Sequence, residues 1–302
     1  MTDKKTSETQ SVCGDLASIG PVAMGPDPRP PQFGRWVKVV EVDLSKLPPV
    51  HTWECLRTDE PMTIDGRLDE AVWSRVKWSE PFGLIDTGGA VPFETRVAFL
   101  WDDEYLYVGY KVEDPDIRGS MTGFNDHIYL KDEDVELFFE GDGYYFEMGL
   151  NPLNKGYQIR WTWIERLMNE KRFAEMEELF KCPDYLYYIA REGEPIGRHA
   201  DLNYQLPGIK HAVYIDGSLN CPEIKDKGWT VELALPWSGL KEIAGGRPLP
   251  PKDGDSFRMT AYRAHQDRKN GTVKGWTPSV MGNDNIHIPE CWNNVVFSGK
   301  IA

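Results

Sequence analysis

The chain has 302 residues, 40% hydrophobic and 12% aromatic, which is enough for one large domain or two small ones with a substantial core. Its 34 basic residues stand against 48 acidic ones, a formal charge of −14. That balance provides no basic footprint for nucleic acid and disfavours anionic membranes and polyanionic sugars, so a neutral ligand or a cation fits better.

Residues 1–35 are polar and then rich in proline and glycine ("GPVAMGPDPRPPQFG"); they read as a tail or strap that cannot fold alone. From Trp36 the chain alternates ("WVKVVEVDL"), the mark of a strand. Asp65-Gly66 is a turn signal, and Leu68, Val72 and Val76 at helical spacing predict a short helix over 68–76. In "RVAFLWDDEYLYVGYKV" the residues Val97, Phe99 and Trp101 share one face. "DDE" at 102–104 is a tight turn, and 105–112 alternates again, giving a β-hairpin in which Trp101, Tyr105 and Tyr107 pack within the sheet.

Further alternating runs follow at 133–141, 144–152, 210–218, 228–237, 256–265 and 292–299, with Gly, Asp, Asn or Pro in nearly every gap. This pattern predicts an all-β fold, an antiparallel sandwich of jelly-roll type over residues 36–302. One segment interrupts it. "TWIERLMNEKRFAEMEELF" (162–180) spaces Ile164, Leu167, Met168, Met176, Leu179 and Phe180 by threes and fours, an amphipathic helix inserted at about 155–205.

No run of about 18 apolar residues is present, so no membrane-spanning helix is expected. Lys4 and Lys5 are not followed by the apolar stretch of an export signal, which on its face points to the cytoplasm. The five cysteines are widely spaced without a CxxC, and the six histidines form neither HxxxH nor HExxH, so zinc-site spacing and a disulfide framework are not expected.

Six segments in order, "IDGRLDEAVW" (64–73), "RVAFLWDDEYLYVGYKVEDP" (96–115), "EDVELFFEGDGYYFEMGLNPLN" (133–154), "LPGIKHAVYIDGSLN" (206–220), "GWTVELALPWSGL" (228–240) and "PKDGDSFRMTAYR" (251–263), resemble the family 9 carbohydrate-binding modules. The resemblance covers roughly residues 62–298. It implies a β-sandwich related to the DOMON domains, a non-catalytic and usually extracellular module that holds a glycan end between aromatic rings, and structural calcium. Sugars suit such a site because rings cover their C–H faces while carboxylates and amides pair with their hydroxyls.

Carried over by position, the resemblance makes Glu136 and Asn151 hydrogen-bonding residues and Tyr129 one ring of the clamp. Gly149 stands where sugar-binding examples can carry an arginine, and Ile286 stands where the second ring is expected. Trp161 or Trp163 can replace that ring, and Trp276 precedes its loop. Asn283, Asn285 and His287 are polar candidates from the same loop, although turn formation alone also explains the asparagines. Asp102, Asp103, Asp114 and Asp116 sit in turns and are the calcium candidates. The DOMON relationship raises haem as well, but the spacing of Met121, Met148 and His127 singles out none of them. Asp132, Asp134 and Glu136 share one face of a strand without the ExDxxE spacing of sandwich glycosidases. The expected partner is a neutral mono- or oligosaccharide. The alternative is a carbohydrate-active enzyme, hydrolase or lyase, with its site under the helical insertion.

Overall fold

The computed structural model describes residues 41–181, 186–191 and 194–302. The chain divides into two compact units, one of residues 42–162 and 200–302, the other of residues 1–41 and 163–199. The expected tail (1–35) and the start of the expected first strand (36–40) lie outside the described residues. In chain order the elements are β1 (Glu41–Val42), β2 (Thr52–Arg57), β3 (Gly83–Leu84), β4 (Thr95–Trp101), β5 (Tyr105–Glu113), β6 (Asp134–Glu140), β7 (Tyr144–Leu150), β8 (Gly156–Trp163), α1 (Ile164–Asn169), α2 (Phe173–Phe180), β9 (Leu186–Arg191), β10 (Glu194–Asp201), β11 (Lys210–Asp216), β12 (Gly228–Pro236), α3 (Lys241–Ala244), β13 (Ser256–Asp267), β14 (Thr272–Thr277) and β15 (Asn293–Ile301).

The larger unit is a β-sandwich. Strands β8, β7, β6 and β13 form one layer in that order, with β14 and β15 flanking β13 on its other side. Strands β11, β12, β5 and β4 form the second, and β2 joins β4 to β15. Alternation decides what fills the space between them. Val97, Phe99 and Trp101 of β4, Val108 and Tyr110 of β5, and Val231 and Leu233 of β12 meet Val135, Leu137 and Phe139 of β6, Phe146 and Met148 of β7, and Phe257 and Met259 of β13 in one buried cluster. Burial of this apolar surface is the main stabilising term, at about 25 cal/mol per Å².

The antiparallel expectation holds except at one seam: β2 runs parallel to both β15 and β4. Parallel neighbours need a long crossover, and residues 58–94 between β2 and β4 supply one. That crossover carries the expected helix at 68–76 only as a 3-10 turn, Ala71–Ser74. Leu68 adopts φ 56°, a left-handed conformation that a helix cannot include. Val72, Trp73 and Val76 instead lay their side chains on Ala98, Leu100, Tyr107 and Ala234 of the second layer's outward face. Gly109 makes room for this: a Cβ there would lie 2.8 Å from Leu68 Cδ2 and 3.1 Å from the Trp73 ring.

A buried ion pair stands in the sandwich interior. Arg263, on the inward side of β13 and fully buried, donates to both Glu133 Oε2 (3.0 and 3.1 Å) and Thr95 Oγ1, and to the Glu113 carbonyl.

In the smaller unit the expected continuous helix is two short ones. Lys171 takes φ 57° between α1 and α2, and Arg172 N–H bonds back to the Leu167 carbonyl. The left-handed residue ends the first helix, and Ile164 and Leu167 then pack on Met176 and Leu179 across the break. β9 and β10 form an antiparallel hairpin, with Ile196 opposite Ile189.

Candidate functional site

The period of two that sends Val135, Leu137 and Phe139 inward sends Asp134, Glu136 and Phe138 to the outward face of the β8–β7–β6–β13 layer. Strand register then assembles rows across that face. Tyr262, Glu136, Gly149 and Tyr157 form one row on β13, β6, β7 and β8; Thr260, Phe138, Glu147 and Ile159 form the next. Beyond them Tyr145 lies opposite Trp161. Adjacent strands are about 4.8 Å apart, so these side chains are immediate neighbours.

Two polar groupings result. At one end Tyr145 and Trp161 stack at 5.5 Å with planes 11° apart, Trp161 Nε1 donates to Glu147 Oε2 (2.6 Å), and the Tyr145 hydroxyl meets His287 Nδ1 at 3.0 Å. The His287 ring is edge-on to Trp161 and Phe138, and its Nδ1 is 3.7 Å from Glu147 Oε2. At the other end Tyr129, in the 3-10 turn Ile128–Leu130, presents its ring edge-on to Tyr157 at 5.8 Å and bonds through its hydroxyl to His127 Nδ1. Beside this end a cavity of about 290 Å³ is lined by Tyr157, Gln158, Asn154, Asn125, Gln205 and His211 among others.

Between the groupings lie carboxylates with little to neutralise them. Burial pushes Glu136 well above the usual carboxylate range, and the charges of Asp134 and Glu147 push it further. Asp134 is raised in the same way by burial, only partly countered by the Ala264 N–H it accepts. On this face the buried atoms Asp134 Oδ2, Tyr157 Oη and Thr260 Oγ1 have no hydrogen-bond partner among the described residues. The Tyr157 hydroxyl interacts with the Glu136 carboxyl without meeting hydrogen-bond geometry. Each such buried group costs about 1–3 kcal/mol while unpaired.

The residues singled out from sequence divide clearly. Glu136, Trp161 and His287 come to this face, and Tyr129 borders it through Tyr157. Glu136 is itself only 4% exposed. Asn151 is fully buried and already saturated: its Nδ2 donates to the Met121 carbonyl and Asp132 Oδ2, and its Oδ1 accepts from Leu153 and Lys155 N–H. It shapes its own turn. Trp276 is 1% exposed in the core, covered by the His265 ring at 4.3 Å and by Arg263, and so offers no face to a ligand. Trp163 ends β8 and caps α1, in the other unit. Asn283 and Asn285 build successive turns, accepting from the N–H of Asn285 and His287. Ile286 is buried, and its carbonyl accepts from Trp292 Nε1.

The calcium candidates are engaged within the chain. Asp102 caps the hairpin turn and accepts from the Tyr107 hydroxyl, Asp103 pairs with Arg57, Asp114 faces Arg263, and Asp116 pairs with Arg118. Among the described residues no group of three or more His, Cys, Asp or Glu is placed to hold a metal ion.

Sequence reasoning missed Tyr145, Glu147, Tyr157 and Tyr262. The alternation of "YYFEMGL" already put Tyr145, Glu147 and Gly149 on the side of Glu136. What the sequence does not show is that the Tyr157 ring fills the space over Gly149: a Cβ there would lie 2.6 Å from Tyr157 Cε1. The arginine that sugar-binding examples can carry at this position is thus replaced by a neighbour's ring.

With this geometry in view, the comparisons with known proteins show what part of the chain is similar to. Residues 64–165 match the family model described as "Carbohydrate family 9 binding domain-like". That segment is similar to the family 9 domains. It runs from the Asp65 turn to the start of α1 and contains Glu136, Tyr145, Glu147, Tyr157 and Trp161 of the face just described. No curated protein matches the sequence. Among solved structures, a "putative carbohydrate-binding protein" from Bacteroides uniformis ATCC 8492 is similar, with TM-score 0.54 and 14% identity over 82% of this chain and 100% of that one. A family 9 carbohydrate-binding module from Caldicellulosiruptor kristjanssonii in complex with cellotriose gives TM-score 0.48 and 14% identity over 82% of this chain and 94% of that one. The same organism's module in complex with glucose gives 0.48 and 15% over 82% and 96%. At these identities the first likeness is one of fold.

Proposed function

We propose that the protein binds a neutral mono- or oligosaccharide, without chemistry, on the outward face of the β8–β7–β6–β13 layer. The observation that carries this reading is the set of unpaired polar atoms there, Asp134 Oδ2, Tyr157 Oη and Thr260 Oγ1, around the buried Glu136. A polyhydroxylated ligand has donors and acceptors for all of them, and the rings of Tyr129, Tyr157 and Trp161 supply apolar surface. Glu136 and Glu147 accept from hydroxyls, and His287, bridged to Tyr145, orients one side. The family 9-like segment supports carbohydrate as the ligand class. Calorimetric titration with a panel of neutral glycans tests it; heat of binding lost in Glu136→Gln is expected, and no binding at millimolar concentration to any of them refutes it.

A second reading rests on the same carboxylates. Raised carboxyl groups on one sheet face are what acid–base cleavage of a glycosidic bond requires. Product analysis after incubation with glycans separates the two readings: new reducing ends or unsaturated products favour an enzyme, and an unchanged substrate pool ends that alternative.

A further inference from the structure

We propose that on the opposite side of the sandwich the end of the outward face of β4, β5, β12 and β11 left uncovered by the 58–94 crossover is a second binding site, for a sugar that bears one carboxylate, that is, a uronic acid residue. The groove there holds about 800 Å³, within the range of small-molecule sites and larger than the cavity beside Tyr157. Strand register builds it. Arg96, Lys111, Thr230 and Tyr214 stand opposite one another in a single row across the four strands. The next row places Gly228 between Glu113 and Asp216; a Cβ at Gly228 would lie 2.0 Å from the Val112 carbonyl oxygen, so glycine is what lets β12 approach β5 here.

The cations of this groove are held over rings. Lys111 Nζ sits 4.1 Å from the Trp78 ring centroid, and the Arg67 guanidinium 4.2 Å from that of Tyr214. Carboxylates claim the others: Glu94 pairs with Arg96 at 3.1 Å and Asp216 with Lys227 at 3.0 Å. Arg67 has only a loose pairing with Asp65 at 3.8 Å, and Lys111 has no carboxylate in ion-pair distance among the described residues. Burial and the neighbouring Arg96 charge both disfavour the Lys111 ammonium, a strain that a bound anion relieves. One carboxylate beside Lys111 therefore gains a partner, while Glu94, Glu113 and Asp216 on the rim accept hydroxyls and repel phosphate or sulfate dianions. Trp78 and Tyr214 offer ring surface to the sugar's C–H groups. This places a locally cationic site on a chain whose net charge is −14, so a polyanion remains disfavoured.

The test titrates galacturonic acid and its neutral methyl ester into the full-length protein by nuclear magnetic resonance, with thermal melting to confirm that each variant is folded. The acid is expected to bind at least about tenfold more tightly than the ester and to shift the amides of Lys111, Thr230 and Tyr214. Lys111→Gln, or Arg67→Gln should the first variant fail to fold, is expected to weaken the acid about tenfold and leave the ester unchanged. Shifts read residue by residue at Lys111, Thr230 and Tyr214 separate this site from the neutral-sugar face on the other layer, which the ester remains free to occupy. Equal affinity for acid and ester at these amides, an acid affinity indifferent to Lys111 and Arg67, or acid-induced shifts confined to the Glu136 face overturns the proposal.

Discussion

Glu133 and its neighbours Asp134 and Glu136 leave one stretch of chain for opposite sides of one sheet, all buried, with opposite outcomes. Glu133 accepts from Arg263, from the Gln266 N–H and from His265. Burial raises its pKa, but the His265 bond and the Arg263 charge outweigh that and hold it down to about 2. Asp134 and Glu136 face other carboxylates instead, and burial carries them well above their ordinary values. Depth therefore sets neither outcome; the partner does. The compensated carboxylate belongs to the scaffold, and the uncompensated ones are the ground for the ligand face proposed above.

The comparison breaks first at the compensated pair. Arg263→Met strands Glu133 in the interior and is expected to cost about 3–5 kcal/mol by chemical denaturation; a loss under 1 kcal/mol contradicts the assignment. Acid is next. The Glu133 pKa is depressed from 4.5 to about 2, so its stabilisation is fully present above about pH 4.5 and is lost as pH falls toward 2. By the conversion of about 1.4 kcal/mol per unit, the loss is on the order of 3 kcal/mol. Glu133→Gln is expected to flatten that part of a stability-against-pH curve.

For Glu136 the sign reverses. A raised native pKa favours the fold at low pH, and that contribution is lost as pH rises from the ordinary carboxylate value toward the native one. Glu136→Gln is thus expected to raise stability at pH 8 by about 1–3 kcal/mol while removing saccharide binding. The smallest effect is at Tyr157→Phe, which deletes an unpaired buried hydroxyl. Stability stays within about 1 kcal/mol of wild type, and saccharide affinity falls about tenfold.

Much of this architecture is legible in the sequence, for a specific reason. Alternation is a local signal, so the β4–β5 hairpin, the inward set of β6 and the position of Glu136 follow from a few adjacent residues. What depends on distant chain does not. The helix expected at 68–76 gives way to a 3-10 turn after the left-handed Leu68, in an arrangement where Trp73 Nε1 donates to the Glu232 carboxylate 159 residues away. The helix expected through 162–180 breaks at Lys171, which has neither the Gly nor the Asn that usually announces a left-handed residue. Asn151 matches its family position, yet its hydrogen bonds are consumed by Met121 and Asp132, before it on the chain, and by its own turn. Trp276 precedes the loop on the chain, and only register, which pairs it with Arg263 and Leu84, settles that it lies inside. Tyr157 carried no signal at all; its role depends on the bare Cα of Gly149 one strand away.

The most direct test of the distinction is a paired measurement on Glu136→Gln at pH 8, in which the unfolding free energy is compared with wild type and neutral oligosaccharides are titrated by calorimetry. The account predicts a more stable protein that no longer binds. A variant that is less stable than wild type, or that binds the same saccharide as tightly, would show that this carboxylate serves the scaffold and would remove the basis for placing a ligand on this face.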